Sequence, residues 1–181
     1  MNTVYWRRYA GEQSFVAWAV NTSLIYEGPV EFISERFGKI EYDEREVIRF
    51  PQGVVGFPDM TRYFMHTDER VAPLAWLHSL DDGNLAFLVC DPFLFFPDYE
   101  VKVQLPPALR KQMGDPADLR VLAIVTIHTD FASSTVNLLG PLVINARIRN
   151  GWQVILEDED LGTRHRLFEA EPAANEDQAA S

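Results

Sequence analysis

Four histidines, one cysteine and a pair of adjacent carboxylates are the groups in this chain that could drive a reaction. His66, His78, His128 and His165 show no helical ligand spacing, and none sits near the cysteine. A zinc site is therefore not expected. Cys90 ends the apolar run Leu85-Ala86-Phe87-Leu88-Val89-Cys90 and reads as a small buried hydrophobe. Asp81-Asp82-Gly83-Asn84 gathers carboxylates beside a glycine. A calcium loop would need further acids at fixed offsets and a later glutamate, which 86–91 does not supply. A hairpin turn is the simpler reading of those four residues. No G-x-S-x-G, P-loop or G-x-G-x-x-G is present, so the common nucleophile and phosphate cradles are missing. Asn137 and Asn145 flank a Gly140-Pro141 break, where amides often satisfy backbone groups at a strand bend. No catalytic residue, metal or cofactor is expected.

Such residues must be held by a fold, and the chain is dense in strand signals. Short alternating or apolar runs occur at 30–33, 37–42, 46–50, 63–66, 75–80 and 85–90. Segment 99–105 alternates strictly, so one of its faces should be buried and the other wet. Segment 121–127 is almost continuously apolar and β-branched, which suits a strand buried on both faces. Runs 142–149 and 152–156 flank Asn150-Gly151, a hairpin signal that predicts a tight turn at those two residues. One helix is expected over 108–113, with Pro106-Pro107 before it and Gly114 after it. The spacing favours an all-β, small barrel-like antiparallel fold with one short helix.

A chain of 181 residues suits one domain with tails, able to bury about 70% of its unfolded surface without a staple. Residues 1–29 lack a clear period and read as an N-terminal extension, disordered or not native to the protein; residues 169–181 read as an acidic disordered tail. The β domain is expected over 30–168. One cysteine, no secretory signal and no apolar run near the roughly 20 residues of a membrane span place the protein in the cytoplasm. The net charge is −11, which disfavours direct nucleic-acid binding and favours a basic protein partner. Glu157 to Ser181 holds eight acids against Arg164 and Arg166, or −6 of that −11, so the core carries about −5.

Several motifs in order carry a resemblance. Arg36-Phe37-Gly38-Lys39-Ile40-Glu41-Tyr42 is followed by Ile48-Arg49-Phe50-Pro51-Gln52-Gly53-Val54-Val55-Gly56-Phe57. Then come Asp81-Asp82 before Leu85-Ala86-Phe87, Asp91-Pro92, and Pro97-Asp98-Tyr99-Glu100. Thr135-Val136-Asn137-Leu138, Gly140-Pro141 and Ile144-Asn145 close the series. From about Val30 to Phe168 the chain resembles the FliW family of bacterial flagellar assembly factors. It departs from that family in Gly140, where alanine is usual, and in residues 1–29, which precede the family's usual start. The resemblance implies a β-barrel-like protein without catalytic activity, monomeric when free. It implies binding to CsrA, a basic RNA-binding repressor of flagellin mRNA translation, and to flagellin, in a mutually exclusive way. Asp81, Asp82, Asp98 and Tyr99 are the expected exposed contacts, with Phe95 and Phe96 as apolar anchors enclosed by polar residues. Two other readings compete: a carboxylate-dependent enzyme pairing Asp81 with Asp82 or Asp98, and a small-ligand barrel lined by aromatics. A filled barrel core would exclude the second.

Overall fold

A computed structural model of the protein describes residues 4–6, 28–99, 101–103 and 107–168. The strands in chain order are β1 (Val4–Trp6), β2 (Val30–Ser34), β3 (Gly38–Tyr42), β4 (Ile48–Arg49) and β5 (Arg62–Thr67). They continue with β6 (Ala75–Ser79), β7 (Ala86–Cys90), β8 (Val101–Val103) and β9 (Leu119–Thr126). The last are β10 (Thr135–Val136), β11 (Leu142–Asn145), β12 (Asn150–Gln153) and β13 (His165–Arg166). Two short helices accompany them, α1 (Pro92–Phe95) and α2 (Pro107–Met113).

Seven strands close into a barrel in the order β11-β12-β4-β5-β6-β7-β9, with β9 pairing back onto β11. Closure leaves no open edge on these strands. The seam between β12 and β4 is parallel, pairing Asn150 with Arg49, and the other six seams are antiparallel. Strand β9 is long enough to serve three neighbours. Its one edge meets β7, and its other edge meets β11 at Leu119–Leu122 and β10 at Val125–Thr126.

The barrel interior is filled by side chains. Ile48, Phe50, Tyr63, Ala75, Leu77, Val89, Leu122, Leu142 and Ile144 are each at most 1% exposed and pack as one cluster. This removes the small-ligand barrel. A second cluster covers the outer face: Trp76, Leu88, Cys90, Val121, Ala123, Val125, Val143 and Trp152 pack beneath Phe93, Tyr99, Met113 and Leu167. The near-continuous apolar run of β9 follows from this, since alternate residues enter two different cores. Burial, with Asp91 adding to it, pushes the Cys90 thiol up to about 12, so it packs as a hydrophobe.

The β2–β3 hairpin lies over the outer face of β5 and β6. Phe32 meets the Phe64 ring edge-on at 5.4 Å, Tyr42 stacks on Phe64 at 4.9 Å, and Phe37 meets Trp76 at 5.1 Å. Enclosed in this layer is His78, 1% exposed, whose two ring nitrogens have no hydrogen-bond partner among the described residues. Phe64 stacks on it at 5.2 Å and Phe37 meets it edge-on at 5.0 Å. Desolvation, then the charges of His66 and Arg36, lowers its pKa to about 4. The unfolded chain therefore binds this proton more readily than the folded one. The stability from keeping His78 neutral is whole above about pH 6.5 and is lost as pH falls toward 4. The loss should reach about 3 kcal/mol, and His78→Leu should flatten the pH dependence of the urea midpoint over that window.

One sequence expectation changes at the turn between β11 and β12. Asn150-Gly151 does not form the β-turn; both residues lie in β12, and the chain reverses over 146–149 with Arg149 at φ +55°. The glycine is required by packing, because a Cβ on Gly151 would stand 2.5 Å from the Phe50 ring. Of the 99–105 strand, Val101–Val103 is strand and Tyr99 is not, while residues 100, 104 and 105 lie outside the described residues; Pro92–Phe95 forms the helical turn α1. The expected helix is present, one residue longer at its start, and Gly114 ends it at φ +77°. Of the expected N-terminal extension, Val4–Trp6 pairs with Val101–Val103; residues 7–27, and the expected tail 169–181, lie outside the described residues.

Candidate functional site

The six expected contact residues fall into two groups that the barrel keeps apart. Asp81 and Asp82 lie in the β6–β7 turn, whereas Phe95, Phe96, Asp98 and Tyr99 follow the far end of β7. Five residues of strand separate the two ends by roughly 17 Å. An enzyme pairing Asp81 with Asp98 has no geometric basis.

Asp81 acts as a clamp within the fold. The Thr61 and Arg62 N–H groups donate to its Oδ2 at 2.7 and 2.9 Å, and Arg62 Nε donates to Oδ1 at 3.0 Å. Its side chain is 20% exposed. Burial opposes the charge, but the donations from Thr61 and Arg62 outweigh it and hold the carboxyl below its usual range. Its contribution to stability is thus present above the unfolded pKa, about 4, and lost as pH falls through the lower folded value. Asp81→Ala should cost about 1–2 kcal/mol by orphaning two backbone donors, read as a lowered urea midpoint. Asp82 Oδ1 accepts from the Asn84 N–H at 2.9 Å and shapes the same turn.

Tyr99 is a correction. It is 6% exposed, and its hydroxyl donates to the Leu138 carbonyl at 2.8 Å, across 39 residues of sequence. Burial raises its pKa, with the charges of Cys90 and Asp158 adding to it. It fastens the loop after α1 to the β10–β11 connection and offers no surface to a partner.

Phe95, Phe96 and Asp98 remain at the surface, the two rings partly buried and Asp98 exposed. Asp91 sets their position by accepting from the Phe93 N–H at 2.9 Å, with Pro92 at the start of the helical turn. Phe93 turns inward, 7% exposed, and anchors the turn. Phe95 meets Phe168 at 6.2 Å, and Phe168 meets Phe131 at 5.1 Å. Phe96 meets His165 at 6.3 Å, and Leu94 and Phe131 are 44% and 48% exposed. Phe131 follows Asp130, which accepts from the Ala132 N–H. The result is two neighbouring sets of rings at the surface, Phe95–Phe168–Phe131 and Phe96–His165, with Asp98 and Asp130 next to them in sequence. Phe131 was missed, although a lone phenylalanine inside the polar stretch Thr129-Asp130-Phe131-Ala132-Ser133 is a readable sign of surface placement.

Two further surface features need placing. Val55, Phe57 and Ile155 are exposed near Gln153, whose Oε1 accepts from the Val55 N–H at 2.8 Å. A shallow, open depression of about 600 Å³ lies between Phe37, Lys39 and Glu41 on one side and His66, Asp68 and Arg70 on the other. Among the described residues no group of three or more His, Cys, Asp or Glu is placed to hold a metal, and no helix is long and apolar enough to cross a membrane.

The molecule is thus a small closed β-barrel with a filled core, tied carboxylates and an aromatic patch at its surface. Comparison with known proteins places that class within a family. The model of the FliW protein family matches residues 31–167. The flagellar assembly factor FliW of Alkaliphilus metalliredigens is 38% identical over 137 residues, 75% of this chain and 85% of that protein. That of Clostridium beijerinckii is 34% identical over 139 residues, 77% of this chain and 99% of that protein. A crystal structure of the flagellar assembly factor FliW superposes with a TM-score of 0.71 at 32% identity, covering 79% of this chain and all of that one. The chain belongs to the FliW family of flagellar assembly factors.

Proposed function

We propose that this protein works in the cytoplasm as a binding factor without enzymatic activity. It holds CsrA and so lifts repression of flagellin mRNA, and it holds flagellin as a chaperone-like partner. The two ligands exclude one another, so free flagellin returns CsrA to the mRNA. The observation that carries this reading is family membership across 31–167, which contains all seven barrel strands. The net charge of −11 supports it, since an acidic surface speeds and orients encounter with a basic repressor. We assign contact to the ring patch: Leu94, Phe95, Phe96 and Phe131, with Asp98 at its rim.

Titration of the purified protein with CsrA and with flagellin, each by calorimetry, tests the function. A complex with each, and release of CsrA on adding flagellin, is the expected result. Binding to neither would end the proposal. Leu94→Ser with Phe131→Ser should weaken at least one complex tenfold or more, as loss of a central anchor does, at little cost in thermal stability. Unchanged affinity for both would move the contact surface elsewhere on the barrel.

A further inference from the structure

Strand β8 has the sequence of a strand but, among the described residues, no partner from 30–168. Its segment alternates strictly over 99–105. Yet it takes no part in the barrel, and among the described residues its only pairing is with β1. That pairing is antiparallel, with Val4 opposite Val103, Tyr5 opposite Lys102 and Trp6 opposite Val101. The matched family region, 31–167, contains β8 and excludes β1. In the Clostridium beijerinckii relative the matching stretch takes up 99% of the protein, leaving no room for a comparable N-terminal strand. The edge therefore belongs to the family domain, and its occupant here does not.

Unpaired strand edges present a row of N–H and C=O groups, and they bind extended peptides by adding a strand. We propose that Val101–Val103 is a strand-addition site for an extended segment of a partner protein, and that Val4–Trp6 occupies it in cis. The occupant shows the chemistry the edge accepts: a β-branched and aromatic run, Val4-Tyr5-Trp6, free of proline and glycine. A partner segment would run antiparallel to β8 and carry the same alternation. Tethering sets the competition. A strand carried on the same chain competes as an intramolecular ligand, so a partner segment must displace it rather than meet an empty edge. This inference concerns how a partner is gripped and holds whichever partner the barrel serves.

The test compares the native chain with a Tyr5→Pro, Trp6→Pro variant. Successive N–H groups on a strand point to opposite sides, so replacing both residues removes whichever one faces β8. Amide exchange at Val101–Val103 should speed at least tenfold in the variant, while Leu122 and Val143 in the barrel stay protected. A synthetic peptide of residues 1–10 added to the variant should restore that protection, and should bind the native chain at least tenfold more weakly. A second peptide with the same alternation but unrelated sequence, such as Thr-Val-Tyr-Val-Thr-Ile-Thr, should also restore it. Unchanged exchange in the variant would overturn the pairing. Failure of the first peptide would overturn addition in trans, and equal affinity for both proteins would overturn the competition. Failure of the second peptide alone would show a site fitted only to this chain's own segment, and would overturn docking of a partner.

Discussion

Gly151→Ala will destabilise the barrel by about 2–3 kcal/mol, although alanine ordinarily suits a strand better than glycine. The added Cβ would lie 2.5, 2.7 and 2.8 Å from three carbons of the Phe50 ring. Phe50 is fully buried and packs edge-on against Tyr63 at 5.3 Å, so the ring has no solvent-side route of escape. The site is also at the parallel seam, where Asn150 pairs with Arg49 and the Arg49 N–H donates to the Arg149 carbonyl. Either the ring leaves its rotamer or the seam opens, and both cost energy in a close-packed core. Urea denaturation should show a lower midpoint at an unchanged slope. The decisive comparison is the double variant. Phe50→Leu alone loses apolar contact and should cost about 1–2 kcal/mol, yet combined with Gly151→Ala it should cost much less than the two added together. Additive losses would mean the ring does not constrain the glycine.

Gly151 also shows where the sequence misleads. Asn-Gly signals a tight turn because glycine tolerates positive φ, but here the glycine is demanded by the absence of a side chain, a reason invisible without Phe50 a hundred residues away. The strands themselves were legible, because alternation and β-branching report a pleated, half-buried surface locally. Segment 121–127 showed its double burial as far as Val125, while Thr126 and Ile127 come out at the surface. Residues whose role depends on distant backbone were not legible. Asp81 reads correctly as part of a turn, but its grip on Thr61 and Arg62 spans about 20 residues of sequence. Tyr99 sits between Asp98 and Glu100 in a pattern that suggests an exposed edge, and only the fold brings its hydroxyl to Leu138. The helical turn at Pro92–Phe95 is too short to show a period, though Asp91-Pro92 carries its capping signal. For the ring patch, Phe95 and Phe96 could be chosen from composition, whereas their partners Phe131 and Phe168 come from other elements.

Asn145→Ala should cost about 3 kcal/mol, more than a typical substitution of a polar residue. The side chain is fully buried at the end of β11, and its amide serves two segments at once. Nδ2 donates to the Met113 carbonyl at 2.7 Å, closing the end of α2. Oδ1 accepts from the Arg147 and Ile148 N–H groups at 2.9 and 3.0 Å, shaping the turn into β12. Alanine orphans all three, and of these the buried Met113 end has least access to water in exchange. Gly114 is part of the same device, because a Cβ there would come within 2.9 Å of Nδ2 and push the amide off its carbonyl. Asn145→Asp separates the two halves of the role. Aspartate keeps an oxygen for the two turn N–H groups but sets a second oxygen against the Met113 carbonyl. Proton uptake would turn that oxygen into a donor, so the variant's folded pKa is raised above the unfolded value of about 4. Its stability is then fully present below the unfolded pKa and is lost as pH rises through the folded one. The gap between Asn145→Asp and the parent chain should therefore widen from pH 4 to pH 7, while the gap for Asn145→Ala stays nearly constant. A pH-independent gap for aspartate would mean that the bond to Met113 contributes little and that the turn alone accounts for the residue.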